Sequence, residues 1–144
     1  MLSFDTHRTE HIMIEHKQTK VALLWLTTAV GAVMFVTLQS FAYLNDFIRG
    51  HGAMPAVTFD QTMLWAVFIF YGAWLLPPLL ALAGRRSLHW AGLLLGSALA
   101  ALNTLGGIFD GMRDGGPIAF LAVVCIALPG TCAVTASWHR LRAV

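Results

Sequence analysis

Two apolar segments of the chain carry polar residues at the same spacing. The sets are Gln39, Tyr43 and Asp46 on the first segment and Asn103, Gly107 and Asp110 on the later one. Because an α-helix completes a turn every 3.6 residues, positions i, i+4 and i+7 lie on one helical face. Polar side chains inside a membrane are costly unless they contact each other, a cavity or a partner. The two faces are therefore the candidate functional residues.

Two interpretations of these faces are open. In the first, they line a small polar path, with Gln39 and Asn103 deep and the two aspartates at its mouth. In the second, the amides hydrogen bond between helices, and the carboxylates form ion pairs at the water interface. The expected ion pairs are Asp46 with Arg49 and Asp110 with Arg113. We favour the second interpretation.

The sequence supplies no motif for catalysis. It contains no G-x-S-x-G, H-E-x-x-H or C-x-x-C pattern and no phosphate-binding glycine loop. No acidic residue lies deep in an apolar segment, which argues against a proton-coupled pump with a buried carboxylate. We nominate no catalytic residue and expect no catalysis by this chain alone.

Histidine and cysteine positions favour neither a metal nor a haem site. All six histidines lie outside the predicted hydrocarbon zone, whereas bis-histidine haem needs histidines facing each other inside the bundle. His7 and His11 would share a helical face, but without a converging third ligand they fit a solvated surface better than a metal site. Cys125 and Cys132 are about 10 Å apart along a helix, beyond the reach of a disulfide. We predict no metal and no cofactor.

Aromatic residues are dense on the second apolar segment. They are Trp65, Phe68, Phe70, Tyr71 and Trp74. A quinone or pigment pocket would use such a set, and helix packing or lipid contact explains it as well.

Composition places the chain in a bilayer. Of its 144 residues 58% are hydrophobic and 11% charged, and the mean hydropathy is +0.71. The chain is too apolar for an ordinary soluble domain, and it is too short to contain several domains. The net charge is only +2 and the basic residues are scattered, which argues against a nucleic-acid partner. The predicted fold is an all-α membrane protein.

Local signals predict a leader and four transmembrane helices. Residues 1–20 form a cytoplasmic or interfacial leader, and residues 21–144 form the transmembrane domain. The predicted spans cover about 21–48, 59–84, 88–113 and 117–138. A capping box at Thr58 marks the second span, and Ser87 is the expected N-cap of the third. Pro77 and Pro78 should kink the second span.

The four helices are expected to form two hairpins of parallel orientation. Residues 102–116 resemble residues 38–52 in sequence, with a leucine, an aspartate, an arginine and a glycine at the same positions of both segments. A duplicated hairpin would explain this resemblance, but apolar helices also resemble one another by composition alone. The third span is rich in small residues, so it is the expected central helix. Its packing positions are Gly92, Gly96, Ala100, Gly106 and Gly107.

Charge predicts the orientation of the spans. Basic residues of the leader, of the Arg85-Arg86 loop and of the C-terminal turn lie on one side of the predicted membrane, and Arg49 and Arg113 lie on the other. The positive-inside rule then places both termini in the cytoplasm of a bacterial-type inner membrane.

The first hairpin resembles, in pattern, one helix pair of subunit III of the haem-copper oxidases. The residues that carry the resemblance are Leu24-Trp25-Leu26-Thr27, Gly31, Phe35, Leu38-Gln39, Tyr43 and Gly50. In that family a glutamate precedes the tyrosine and histidines mark the following helix. Here Ala42 precedes Tyr43, and Gly72-Ala73-Trp74 lacks histidines. The resemblance implies a cofactor-free subunit flanking a respiratory complex and transfers no functional residue.

Two functions are therefore expected. The leading one is a cofactor-free structural or accessory subunit of a larger inner-membrane assembly, whose partners are the bilayer and other membrane subunits or further copies of the chain. The alternative is a small homo-oligomeric channel or transporter with a polar path along the first and third helices.

Overall fold

The computed structural model describes residues 3–50, 60–83 and 85–142, and the side chains of 15–50, 60–83, 85–112 and 115–142. All regular structure in these ranges is helical, which confirms the predicted all-α fold. The α-helices are α1 Ser3–Arg49, α2 Gln61–Gly72, α3 Leu76–Leu82, α4 Arg86–Asp114, α5 Gly116–Ala122 and α6 Leu128–Arg142. A 3-10 turn, Ala73–Leu75, joins α2 to α3, and a π-helical turn, Val123–Ala127, joins α5 to α6.

Four helical stretches are long and apolar enough to cross a membrane, as predicted. We call them the first span, Glu15–Arg49, the second span, Gln61–Leu82, the third span, Arg86–Met112, and the fourth span, Gly116–Arg142. The end of the bundle that holds the Arg85-Arg86 loop and the C-terminal turn is the basic end. The other is the opposite end.

The first helix is longer than the predicted span. The leader and the first span form one unbroken helix, α1, of 47 residues. No glycine or proline occurs between Ser3 and Val30, so no residue in that stretch breaks the helix. The predicted boundary near residue 21 is therefore a change in polarity within a continuous helix.

The second span begins slightly later than predicted. Asp60 is the N-cap of α2, and its carboxylate accepts a hydrogen bond from the backbone N–H of Met63 at 2.7 Å. The predicted capping residue, Thr58, lies outside the described residues.

The third span begins slightly earlier than predicted. Helix α4 starts at Arg86, so Ser87 lies in its first turn and is not the N-cap. The backbone carbonyl of Arg85 accepts the N–H groups of Leu88 and His89 at 3.0 and 3.3 Å. These backbone bonds start the helix without a side-chain cap.

Prolines change the helix type in the second and fourth spans. Pro77 and Pro78 lack the N–H that would bond to a carbonyl four residues earlier. The 3-10 turn precedes them, and the N–H of Leu76 bonds to the carbonyl of Ala73. In the fourth span, Pro129 follows the π-helical turn in the same way.

The spans pack around two apolar clusters. The first and third spans each pack against α3 of the second span and against the fourth span. The middle cluster contains Phe35, Trp74, Leu99 and Ile126 with several alanines. The basic-end cluster is built around Trp25, whose side chain is 1% exposed. Van der Waals packing of this kind is a main source of helix association in lipid.

Glycines allow the closest approaches between spans. A Cβ at Gly31 would overlap the backbone carbonyl oxygen of Cys125, and one at Gly96 would overlap the ring of Trp25. Gly107 and Gly111 are equally tight against α5, where the nearest residues are Ala122 and Ala119.

The predicted packing positions of the third span differ in how close their neighbours are. Besides Gly96 and Gly107, Ala100 is buried, and a Cβ at Gly92 would lie 3.1 Å from Cβ of Leu80. Gly106 is exposed and has no neighbouring atom within 4 Å of its Cβ position. Among the described residues, Gly106 therefore has no close packing neighbour in another span.

Helix α2 is the least packed part of the bundle. All residues from 61 to 69 are exposed, and α2 makes extensive contact only with the 3-10 turn that follows it. Its last two aromatic residues, Phe70 and Tyr71, pack against the middle cluster. The half of the second span nearest the opposite end therefore has no extensive contact with another helix among the described residues.

Candidate functional site

The polar faces of the first and third spans meet at one hydrogen bond. Nε2 of Gln39 donates to Oδ2 of Asp110 at 2.6 Å, and both side chains are half-buried. A hydrogen bond to an ionised carboxylate is shorter and stronger than one between neutral groups. The pair therefore links the first and third spans through one polar contact, which we call the polar joint.

The other residues of these faces do not join that contact. Asn103 is buried, and its Nδ2 donates to the carbonyl of Leu99 in its own helix at 3.2 Å. Tyr43 is exposed, and its ring stacks on Phe47 with centroids 6.5 Å apart. Gly107 contributes close packing rather than polarity.

Of the two predicted interfacial ion pairs, only that of Asp46 with Arg49 lies wholly among the described side chains. Asp46 and Arg49 are both exposed, and no salt bridge joins them among the described side chains. The side chain of Arg113 lies outside the described residues, so the pairing of Asp110 with Arg113 stays a prediction.

A second polar site, which sequence reasoning missed, lies in a cleft at the basic end. We call it the basic-end cleft. It has about 10 Å³ of room, enough for about one water-sized group. Its polar lining consists of His89, Ser137 and Arg140, and its apolar lining includes Val21, Trp25 and Leu93.

Arg140 connects three elements in this cleft. Its Nη1 donates to the carbonyl of Ala81 at 3.1 Å, and its Nη2 lies 3.1 Å from Nε2 of His89. Arginine has no acceptor, so Nε2 of His89 must accept the bond and the imidazole must be neutral with its proton on Nδ1. Both partners of this half-buried guanidinium are therefore uncharged.

A buried polar chain runs beside it. Nε1 of Trp25 donates to Oγ of Ser137 at 3.0 Å, and that hydroxyl donates to the carbonyl of Ala133 at 2.7 Å. Both hydroxyl and indole groups are thus satisfied within the bundle. By contrast, Nε1 of Trp74 is buried with no hydrogen-bond partner.

Aromatic and basic side chains follow residues of the cleft lining in the sequence at the basic end. The rings of Trp90 and Trp138 meet edge to face with centroids 5.7 Å apart, and the Arg142 guanidinium lies 4.7 Å above the Trp138 ring. Arg86 donates to the carbonyl of Leu141 at 3.4 Å. Trp and Arg in this arrangement are typical of the boundary between hydrocarbon and headgroups.

The described residues contain no group of three side chains that could hold a metal ion. His16 and His139 are exposed, and Cys125 and Cys132 are free thiols. The side chains of His7 and His11 lie outside the described residues.

Comparison with family models, with curated proteins and with solved structures found no match to this chain.

Proposed function

We propose that this chain is a multi-pass protein of a bacterial-type inner membrane, with both termini in the cytoplasm, and that it is a cofactor-free structural or accessory subunit of a larger assembly. Its resemblance to subunit III of the haem-copper oxidases favours a respiratory assembly engaged in electron transport. Two hairpins of parallel orientation, arising from duplication of one, complete the proposed architecture.

The observation that carries this proposal is the exposure of residues 61–69, the half of the second span nearest the opposite end. Only 17% of the apolar stretch of this span is buried, against 44% for the first span. Its exposed side chains include Met63, Trp65, Phe68 and Ile69. Aromatic residues and methionine are enriched where protein surfaces meet. A helix of another subunit packed on residues 61–69 would give this half-span the neighbours that the described part of its own chain does not provide.

Site-specific photo-crosslinking in native membranes tests the proposal. A photoreactive residue replaces Phe68, and the matched control replaces Leu94 on the third span, since the two side chains are 67% and 66% exposed. We expect position 68 to give a discrete adduct with another polypeptide and position 94 to give mainly lipid adducts. If position 68 forms no more protein adduct than position 94, the subunit proposal is wrong.

The second candidate is a small homo-oligomeric channel or transporter. The observation favouring it is that polar side chains of the first and third spans, Gln39 and Asp110, meet inside the bundle. An adduct at position 68 with twice the mass of this chain would favour a homo-oligomer, whereas a heavier or lighter adduct would favour a distinct subunit.

A further inference from the structure

The basic-end cleft contains a positive charge that no described residue neutralises. The hydrogen-bond partners of Arg140 are a backbone carbonyl and a neutral imidazole nitrogen. A partly buried charge without an opposite charge carries a desolvation penalty that an anion would offset. Arg140 uses two of its five N–H donors in these bonds, which leaves donors for a further acceptor.

A second guanidinium, that of the exposed Arg86, bonds to a residue that lines the same cleft. Arg86 bonds to the carbonyl of Leu141, the residue that follows Arg140 and also lines the cleft. Carbonyls at helix C-termini explain why the two arginines lie here, but they do not neutralise the full charge of either one. Two guanidinium groups at one cleft match the oxygen atoms of a phosphate.

The surroundings of the cleft fit the depth of a lipid headgroup. One wall is apolar, with Trp25, Val21 and Leu93, and the Trp90–Trp138 pair lies nearby. Tryptophans concentrate at the level of the headgroups, and basic pockets between transmembrane helices bind anionic headgroups. The free volume admits one oxygen-sized group, so a phosphate would place one oxygen inside and the others at the mouth.

We infer that the basic-end cleft binds the phosphate of an anionic lipid, with Arg140 inside the cleft and Arg86 at its mouth. His89 holds the Arg140 guanidinium in position through Nε2. This site is distinct from α2, so it depends on membrane insertion but not on the subunit role proposed above.

Native mass spectrometry of the purified full chain in detergent tests this inference. The probes are phosphatidylglycerol, phosphatidylcholine with the same acyl chains, and inorganic phosphate. We expect one phosphatidylglycerol to remain bound per chain, with much weaker retention of phosphatidylcholine and no displacement by millimolar phosphate. Equal retention of the two lipids would overturn the inference, and displacement by inorganic phosphate would assign the site to the free anion instead.

Variants locate the bound lipid. Arg86→Gln and Arg140→Gln should each weaken phosphatidylglycerol binding about tenfold or more, as loss of a charge-assisted hydrogen bond implies. Arg85→Gln removes the same charge from the adjacent residue, which is exposed like Arg86 but whose side chain has no hydrogen bond to the cleft lining among the described residues, so binding should change less than about twofold. If Arg140→Gln fails to fold, phosphatidylglycerol binding by Arg86→Gln and Arg140→Lys tests the site instead. Equal loss in Arg85→Gln and Arg86→Gln would show only diffuse attraction and would refute the site.

Discussion

The hydrogen bond between Gln39 and Asp110 links helices that contact each other less than they contact the second and fourth spans. The side chains of Gln39 and Asp110 are half-buried, so each is only partly exposed to water. A contact of this kind favours one relative height and rotation of two helices but does not set them alone. The contact is compatible with a structural link between the two helices and with a polar path that is closed at this point.

Replacing Gln39 tests whether its hydrogen bond stabilises the bundle, which a polar joint requires and a polar path does not. Gln39→Leu removes the donor to Asp110, and we expect the free energy of unfolding in detergent to fall by about 1 kcal/mol, since interhelical hydrogen bonds in membranes are worth about 0.6 and at most about 1.7 kcal/mol. The control is Thr37→Val, because the Thr37 hydroxyl is exposed and bonds only to the carbonyl of Val33 in its own helix. Equal stability of the two variants would contradict a joint.

The channel candidate makes a different prediction for the same residues. A path lined by Gln39 and Asn103 requires that Gln39→Leu combined with Asn103→Leu change ion flux through protein reconstituted in liposomes. Unchanged flux would rule that path out.

Helical periodicity identified Gln39 and Asp110 as facing inward, but it could not give their pairing. The polar-path interpretation placed Gln39 at the depth of Asn103, whereas the structure pairs it with Asp110, about 10 Å further along the third span. The relative height of two helices depends on large side chains elsewhere, such as Trp25 against Gly96. No local rule supplies that information.

At the scale of elements, a proline and a glycine together allow the close approach of the fourth span to the first span at Cys125 and Gly31. Pro129 has no N–H, so the carbonyl of Cys125, four residues earlier, lacks its usual α-helical donor. That carbonyl approaches the backbone of Gly31, where a Cβ would overlap it. The absence of a side chain at Gly31 is therefore required by the irregular turn opposite it.

Gly31→Ala should be clearly destabilising. The obstructing atom is a backbone oxygen, which cannot rotate away, so we expect a loss of about 1–3 kcal/mol in the free energy of unfolding. Gly106→Ala is the matched control, because its Cβ would meet no atom within 4 Å. That variant should be neutral or gain up to about 1 kcal/mol from helix propensity. Similar thermal unfolding midpoints for both variants would contradict the close approach.

The elements themselves could be predicted from hydropathy, charge and proline positions, while their contacts could not. The G-x-x-x-G spacing of Gly92 and Gly96 predicts close helix packing, and Gly96 does lie against Trp25. Gly31 has no such spacing signal, and its partner lies in another span. The bond between Trp25 and Ser137 joins residues 112 positions apart, a separation at which neither periodicity nor propensity is informative.

At the scale of the whole molecule, the basic end contains Lys17 and Lys20 of the first span, the Arg85-Arg86 loop and the C-terminal turn with Arg140 and Arg142. The positive-inside rule predicts that this end faces the cytoplasm. A fluorescent protein fused after Arg142 should therefore be fluorescent, and a phosphatase that is active only in the periplasm should be active when fused after Gly115, at the opposite end. The reverse pattern would invert the proposed topology and place the basic-end cleft in the outer leaflet.

The unbroken helix α1 gives the molecule a lever arm. Its 47 residues span about 70 Å, more than twice a hydrocarbon core of about 30 Å. The part from Ser3 to Lys20 extends about 25 Å past the basic end with no hinge of glycine or proline. A 10° change in the tilt of the first span would therefore move the start of the arm by roughly 5 Å. Any rearrangement among the spans that tilts this helix would be amplified outside the bilayer.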